Sequence, residues 1–223
     1  MAVKKEESNG SLSIIDYLPD DYRISDDEFC DAIGTKIAER HTVAELAKRT
    51  GIPYEKLYKA IRPTTLPNRR CLTIGEMKKL MNAIGGEWDS EKESVRGFQC
   101  NATLNKPRLD ERLLYAAGLI ASDGCVGWRG ENGRSGVLVQ PTNSEEDLIR
   151  AFAEIMEEFF GYSPVETEFE PFTSRSEDLV IHGNKPITVS RVCNTIFGRL
   201  LNGLGIGLPN RSHKWTGYTI SKL

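Results

Sequence analysis

The alternation of hydrophobic and polar positions predicts helices in the first half of the chain and a mixture of helices and strands in the second. Residues 109–124 carry apolar side chains at helical spacing, and Asp123-Gly124 supplies a stop signal. The pattern then predicts strands at 125–129 and 136–140, a helix from Asn143 to Phe160, strands at 165–170 and 179–182, and a helix at 190–204. We therefore expect the order αββαββα around a four-stranded antiparallel sheet, with one sheet face under helices and the other open.

The first half shows only helical periodicity and predicts an all-α bundle, so that the whole chain belongs to the α+β class. Helices are expected at 26–40, at 73–84 and, in two pieces, across 42–62. Polar composition at the start and the Gly-, Ser- and Asn-rich stretch after residue 86 indicate segments without packed structure. The predicted division is a flexible leader at 1–24, a helical domain at 25–86, a linker at 87–107 and an α+β domain at 108–223.

The segment 42–62 meets the requirements of a helix-turn-helix motif and resembles DNA-binding domains of the phage-repressor type. Thr42 is a suitable helix cap, Gly51 suits a tight turn with positive φ, and Pro53 suits the start of a second helix. The core positions are Leu46, Ile52, Leu57 and Ala60, and the candidate groove-facing residues are Tyr54, Lys56, Tyr58, Lys59 and Arg62. Any compact three-helix unit shows similar spacing and can also contact proteins, so protein binding stays an alternative.

Composition limits how this protein could bind DNA and whether it could enter a membrane. The net charge of -3 over 223 residues requires DNA binding, if present, to come from local basic patches. The five cysteines are scattered without a C-x-x-C pair, which is typical of reduced thiols in a cytoplasmic protein. No apolar run reaches the roughly 20 residues of a membrane helix, and the polar start is unlike a signal peptide. We expect a cytoplasmic protein that does not enter membranes.

The helix at 109–124 combines small residues with an acid at an unfavourable position. Ala116, Ala117, Gly118 and Ala121 leave one side nearly bare, which would allow another backbone to approach closely. Asp123 lies at the negative end of the helix dipole, where a carboxylate is stabilised by a hard divalent cation. The alternative is an ordinary Asp-Gly turn that ends a helix packed on a sheet.

The run Ala116-Ala-Gly-Leu-Ile-Ala-Ser-Asp-Gly124, preceded by Leu114-Tyr115, resembles the signature of the LAGLIDADG homing endonucleases. The resemblance extends over residues 109 to about 220, since the predicted element order is that of the family's half-domain. It implies that two such helices pack side by side and that each brings its acid to a shared Mg²⁺ centre. In this chain the metal ligands would be Asp123 and the Ser122 carbonyl, and Ala121 replaces the motif's first acidic residue.

The same resemblance implies that the open sheet face lies on duplex DNA. The candidate DNA contacts on that face are Arg129, Arg134, Gln140 and His182. Asn143 corresponds to the position that organises water near the metal. A basic residue beside the scissile phosphate is expected near the start of the third helix, where Lys185 and Arg191 are both candidates.

The sequence therefore predicts a Mg²⁺-dependent, site-specific endonuclease that cuts both strands of DNA. Because there is one motif and no internal repeat, a symmetric homodimer is expected to cut a roughly palindromic site. The alternative is a DNA-binding regulator on the same fold that no longer cuts, and a third possibility is a protein–protein adaptor. The regulator is favoured by a row of carboxylates, Glu166, Glu168 and Glu170, which lie on the DNA side if Val165, Thr167 and Phe169 face the core.

Overall fold

The computed structural model describes residues 12–62, 71–86, 94–97, 103–105, 108–128, 136–171, 173–176 and 179–206, with backbone only for Leu12, Arg40, Trp128, 173–176 and 179–182. Within these residues the chain is a mixed α+β protein with seven α-helices and two four-stranded antiparallel sheets. One sheet lies in the first half of the chain and the other in the second half. The expected α+β class is confirmed at this level.

The first half is not all-α, because a sheet packs beside its helices. Its elements are β1 (Leu12–Ser13), a 3₁₀ turn (Ile14–Asp16), β2 (Arg23–Ser25), α1 (Asp27–Arg40), α2 (Val43–Thr50), α3 (Tyr54–Ile61), β3 (Cys71–Thr73), α4 (Ile74–Ile84), β4 (Ser94–Gly97), β5 (Thr103–Asn105) and β6 (Arg108–Leu109). The predicted helices are all present, but the strands of two to four residues between them have no periodicity that a sequence pattern could reveal.

The prediction of a flexible leader is wrong for residues 12–24. This segment buries its apolar side chains in the main core, and it supplies β2, which lies between β3 and β4 in the first sheet. The buried residues are Ile14, Ile15, Leu18, Tyr22 and Ile24. In addition, β1 pairs with β6, which immediately precedes the helix that carries Asp123. The segment therefore joins the two halves of the molecule.

The predicted linker at 87–107 also contains structured residues. Strands β4 and β5 pair with each other in antiparallel register, and β4 pairs with β2. Val95 and Leu104 lie opposite one another and are fully buried. The described part of this stretch thus belongs to the first sheet and does not act as a spacer.

The two helices of the proposed helix-turn-helix form for the local reasons expected. Thr42 and Glu45 make a reciprocal capping box at the start of α2. Gly51 ends α2 at φ 71°, a left-handed conformation that favours glycine, and only three residues separate α2 from α3. The predicted core residues Leu46, Ile52, Leu57 and Ala60 are all buried. A second capping box, between Thr73 and Glu76, starts α4.

The second half has the predicted alternation of helices and strands with one added hairpin. Its elements are α5 (Glu111–Asp123), β7 (Gly124–Trp128), β8 (Val137–Asn143), α6 (Glu146–Phe160), β9 (Val165–Phe169), β10 (Thr173–Ser176), β11 (Leu179–His182), β12 (Ile187–Cys193) and α7 (Thr195–Gly203). The four-stranded sheet uses β7, β8, β12 and β9, whereas β10 and β11 pair only with each other among the described strands.

Two predictions about the last third of the chain are therefore wrong. The strand at 165–170 does not pair with 179–182, because β9 pairs with β12. The helix predicted from residue 190 begins at Thr195, where the side chain of Asn194 caps it by accepting a hydrogen bond from the Phe197 N–H. The residues before Asn194 form β12, so Arg191 lies in a strand.

One face of the second sheet lies under the helices and the other is open. Side chains alternate along a strand, so the strand register assigns each residue to a face. Val126, Val139 and Val192 lie side by side and belong to the helix-covered core, together with Phe152 and Phe197 of α6 and α7. The open face carries Cys125, Leu138, Gln140, Thr142, Val165, Thr167, Phe169, Ile187, Val189, Arg191 and Cys193.

Candidate functional site

Asp123 is the last residue of α5, and its carboxylate is exposed at the end of the helix. The chain enters β7 at once through Gly124, whose extended backbone has φ -121°. A methyl group at Gly124 would lie 2.7 Å from the Ile120 Cα, so only glycine allows the strand to start this close to the helix. The glycine of the motif is required here by close packing and not by a left-handed turn.

The small residues of α5 divide between two faces. Ala116 and Ala117 are buried against the chain's own core, so the prediction that they help to form a free face is wrong for these two. Gly118 and Ala121 are exposed, and a methyl group at Gly118 would meet no atom within 4 Å. The exposed face is defined by Leu114, Tyr115, Gly118, Ala121 and Ser122 and is called the open α5 face below.

Asn143 lies beside Asp123, although the two are 20 residues apart. Gly124 pairs with Pro141, which brings the end of α5 next to the end of β8. The Asn143 Nδ2 group donates a hydrogen bond to Asp123 Oδ2 at 3.2 Å. The Asn143 Oδ1 atom accepts one from the Glu145 backbone N–H at 2.9 Å. The structure thus brings together two of the four predicted catalytic residues.

Lys185 belongs to the same end of the sheet, and Arg191 does not. Thr188 of β12 pairs with Asn143, so Lys185 comes three residues before the strand position opposite Asn143. Its Nζ atom lies 3.0 Å from Glu145 Oε1 in an exposed ion pair. Arg191 is three residues beyond Thr188, which places it about 10 Å further along the strand. Neither residue lies at the start of the third helix, as the sequence had suggested.

Arg191 instead forms part of a polar group in the middle of the open sheet face. Its Nε–H donates to the Gln140 Oε1 atom at 3.0 Å, and Gln140 is buried although it was predicted to contact DNA. Cys125 pairs with Gln140 on the neighbouring strand. Burial raises the pKa of the Cys125 thiol, an effect that the charge of Arg191 only partly offsets. Gln140 holds Arg191 in place by accepting the hydrogen bond from its Nε–H.

The row of carboxylates on β9 does not face the open side of the sheet. Glu166 and Glu168 line a cleft of about 420 Å³ with Glu146, Ile149, Arg150 and Ala153 of α6 and with Thr188. Val165 and Phe169 are the exposed residues of β9 on the open face. The expectation that Val165, Thr167 and Phe169 face the core is wrong. Glu166 and Glu168 therefore do not repel phosphate at the open face.

Three other predicted DNA contacts are not among the side chains that the structure places on the open face of the sheet. Arg129 and Arg134 lie outside the described residues. His182 is the last residue of β11, which pairs with β10 and is not a strand of the four-stranded sheet, and only its backbone is described. Among the described residues of β7, β8, β9 and β12, Arg191 is the one charged side chain on the open face.

The surface of α3 carries an ordered aromatic and basic group. The rings of Tyr54 and Tyr58 are stacked with centroids 6.0 Å apart, and the Arg62 guanidinium lies 5.9 Å from the Tyr58 centroid. Both tyrosines are exposed, at 51% and 42%. Lys59 is also exposed, and it lies 3.9 Å from Glu55 one turn before it. These four residues form the α3 surface: Tyr54, Tyr58, Lys59 and Arg62.

Lys56 was predicted to belong to that surface, but it has a different partner. Its Nζ atom contacts both carboxylate oxygens of Glu76 on α4, at 2.6 and 2.7 Å. Burial by itself raises the pKa of Glu76, but hydrogen bonds from Lys56 and Thr73 outweigh it and hold the pKa below its usual value. Lys56 therefore fixes α3 to α4 and does not face outwards as a free cation.

The residues at the end of α5 fit a Mg²⁺ ion only in part within one copy of the chain. In the described part of the chain, no group of three or more His, Cys, Asp or Glu side chains could hold a metal ion. Asp123 supplies one exposed carboxylate, and Ser122, whose carbonyl was the other predicted ligand, is exposed beside it. Mg²⁺ commonly binds one or two carboxylates together with substrate phosphates and water. The donor set therefore fits if a second Asp123 and a phosphate complete it.

Comparison with known proteins leaves the family of this chain unassigned. No family model matches the chain, and no solved structure matches it. An A-type ATP synthase subunit from Methanopyrus kandleri is 31% identical to it over 137 residues, which are 59% of this chain. The matched region is only 12% of that relative's length. None of the helices in the described ranges has the length and apolar character needed to cross a membrane.

Proposed function

We propose that this chain is a Mg²⁺-dependent, site-specific endonuclease of the LAGLIDADG type, which cuts both strands of DNA as a homodimer. The observation that carries the proposal is the hydrogen bond between Asn143 and Asp123 at the end of α5. This bond joins Asp123, the acid of the motif, to Asn143, which the resemblance places at the same centre although it lies 20 residues later. The order of helices and sheet strands around these residues also supports the resemblance.

The chemistry proposed for the site is hydrolysis of a phosphodiester bond. Mg²⁺ would supply a Lewis acid for the phosphate oxygens and lower the pKa of the attacking water. Asp123 would hold the ion, and Asn143 donates a hydrogen bond to Oδ2 of that exposed carboxylate. Lys185 is the basic residue proposed to contact the scissile phosphate, since it shares this end of the sheet and Arg191 does not.

The proposed dimer forms through the open α5 face. Leu114 and Tyr115 are 40% and 45% exposed and lie next to each other on the outside of α5, and a methyl group at Gly118 would meet no atom within 4 Å. Pairing two copies along this face would bring both Asp123 carboxylates to one end of the crossing. A two-fold symmetric pair then requires a target site with approximate two-fold symmetry.

DNA binding is proposed for two surfaces with different roles. The α3 surface presents aromatic rings and two cations, a combination typical of contacts to phosphates and base edges. The open sheet face presents Arg191, held by Gln140, among uncharged neighbours such as Thr142 and Thr167. Arg191 is therefore proposed to read a base or hold a phosphate away from the cut.

A DNA-binding regulator that does not cut is the second candidate. It is favoured by the uneven distribution of charge: the described open face exposes Val165 and Phe169 with one cation, while the α3 surface has two. In that case α3 would bind DNA and the second sheet would serve another purpose. The two candidates differ in a single property, which is cleavage.

Replacing Asp123 with Asn tests the proposal. We expect wild-type protein to cut members of a plasmid library only when Mg²⁺ is present, and Asp123→Asn to lower the cleavage rate by about 100-fold or more, since the residue would lose its charge for the metal. Retention of DNA in a gel without Mg²⁺ should change little, because Asp123 contributes no cation to DNA binding.

The matched control is Asp147→Asn, which removes an exposed carboxylate from the first turn of α6. It should cut at the wild-type rate. Cleavage that survives Asp123→Asn would end the assignment of this residue, and specific retention with no cleavage by wild-type protein would favour the regulator.

A further inference from the structure

A continuous line of polar contacts runs from Asp123 through three other residues at the end of the sheet. Asn143 donates to Asp123 Oδ2, and the Glu145 N–H donates to Asn143 Oδ1. The Glu145 carboxylate then contacts the Lys185 ammonium group at 3.0 Å. Glu145 is the one member of this line that the sequence did not identify as a candidate, and it contacts two members that were.

The backbone of Glu145 determines which end of the Asn143 side chain faces Asp123. An amide side chain has an oxygen that accepts hydrogen bonds and an NH₂ group that donates them. The Glu145 N–H can only donate, so the oxygen of Asn143 must face it. The NH₂ group is thereby turned towards Asp123, where a carboxylate requires a donor. One oxygen of Asp123 is occupied as a result, and the other remains for a cation.

The side chain of Glu145 does not serve the helix that it precedes. Glu145 is the N-cap residue of α6, but its side chain makes no capping hydrogen bond. N-cap side chains usually accept hydrogen bonds from the first turn of the helix. Here the carboxylate reaches Lys185, a residue 40 positions later in the chain that precedes β12.

We propose that Glu145 is a positioning residue that acts through two neighbours: its N–H orients Asn143 towards Asp123, and its carboxylate holds Lys185 beside them. The inference rests on the proposed function for its purpose, since Asp123 and Lys185 are the groups proposed to hold the metal and contact the phosphate. The two contacts that it involves, Asn143 with Asp123 and Glu145 with Lys185, can be measured without cleavage.

The first arm of the test exchanges Asn143 and Asp123. Asn143→Asp keeps an oxygen for the Glu145 N–H but places a carboxylate against Asp123, so we expect the Tm to fall by about 3 °C. The double variant Asp123→Asn with Asn143→Asp restores an amide–carboxylate pair with donor and acceptor exchanged, and it should recover most of that loss. If Asn143 served only to accept the Glu145 N–H at the start of α6, Asp at position 143 would be tolerated. An unchanged Tm in Asn143→Asp would therefore overturn the proposal.

The second arm measures DNA binding without Mg²⁺ as a function of salt. If Glu145 holds Lys185 where the phosphate is proposed to lie, Lys185→Gln should reduce the magnitude of the slope of log affinity against log salt by about 0.9 in wild-type protein. In the Glu145→Gln background Lys185 is no longer held there, and the same replacement should reduce the magnitude of the slope by less. Equal changes in the two backgrounds would show that Glu145 does not control Lys185 and would overturn this half of the proposal.

The two arms separate this inference from the nuclease assignment. If wild-type protein never cuts DNA but both couplings are measured, the positioning role stands and the endonuclease proposal fails. If cleavage depends on Asp123 but neither coupling is measured, the opposite holds. The exposed Glu145–Lys185 pair contributes little to folding, so Glu145→Gln should change the Tm by less than about 2 °C.

Discussion

Two lysines of α3 and two amides of β8 have different roles because they contact different partners. Lys56 and Lys59 are two lysines three positions apart on α3, but Lys56 is bound by both oxygens of Glu76 and Lys59 is exposed. Asn143 and Gln140 are two amides on β8, and one contacts Asp123 while the other holds Arg191. The sequence identified these residues as candidates, but their partners come from distant parts of the chain.

The Lys56–Glu76 pair predicts a pH dependence of stability. The pKa of Glu76 is lowered in the folded protein, so the pair stabilises the fold above the ordinary pKa of about 4.5, and this stability is lost as pH falls through the lower folded value. We expect Lys56→Gln to lower the free energy of unfolding by about 1–2 kcal/mol at pH 7 and by less near pH 3.

Thermal unfolding of Lys56→Gln and wild type across that pH range measures the difference. Lys59→Gln is the control, because Lys59 is exposed on the same helix and its loss should leave stability nearly unchanged. The gel assay should show the reverse order: Lys59→Gln weakens DNA binding and Lys56→Gln does not. A larger loss of DNA binding in Lys56→Gln at equal stability would return Lys56 to the α3 surface.

At the scale of elements, local signals defined the helices well and the short strands poorly. The cap at Thr42 and the turn at Gly51 could be read from the sequence, because each acts within four residues. The pattern predicts a helix over the end of β12, from residue 190, because Val192, Ile196 and Leu200 also satisfy a spacing of four. The boundary is set by Asn194, whose side chain caps α7.

The remaining misassignments share a physical cause. Strands β1, β2, β4 and β5 have two to four residues, and their order depends on partners far away in the sequence. A strand of this length has too few positions for alternation to be visible. For the candidate site, the motif supplied Asp123 and its resemblance supplied Asn143 and Lys185, while Glu145 required the contact between the end of β8 and the segment before β12.

The segment from residue 12 to 17 predicts a test of how the two halves are joined. A methyl group at Gly203, the last residue of α7, would overlap the Tyr17 backbone carbonyl, which cannot move as a flexible side chain would. We expect Gly203→Ala to destabilise the protein by about 2 kcal/mol or more, which lowers the Tm by about 4 °C or more. The control is Asn202→Ala at the adjacent position, which adds no atom near Tyr17. Equal Tm values for the two variants would contradict this packing.

At the scale of the whole molecule, the proposed activity requires more than one copy of the chain. One copy offers a single acid at the end of α5, whereas cutting both strands of DNA requires two centres. The open α5 face supplies the surface on which a second copy would pack, with Gly118 at its centre and Leu114 and Tyr115 at one end. Assembly and catalysis are therefore expected to be lost together.

Replacing Gly118 with Leu tests this link. Position 118 is exposed, a Cβ atom there would meet no atom within 4 Å, and Leu favours a helix more than Gly does, so folding should be preserved. It would block a second helix from approaching, and we expect the mass in solution to change from dimer to monomer with loss of double-strand cleavage. Glu157→Leu adds the same side chain to an exposed position of α6 and should remain dimeric and active. A dimer that persists in Gly118→Leu would place the interface elsewhere.

The central claim is that two Asp123 carboxylates, brought together by the open α5 face, cut DNA at a symmetric site. Sequencing of the ends produced by wild-type protein from a randomised plasmid library measures this most directly. A symmetric dimer should produce ends that appear only with Mg²⁺, with one cut in each strand and the two cuts related by the two-fold axis of an approximate palindrome. An intact library at every Mg²⁺ concentration, or cuts without any common sequence or symmetry, would contradict it.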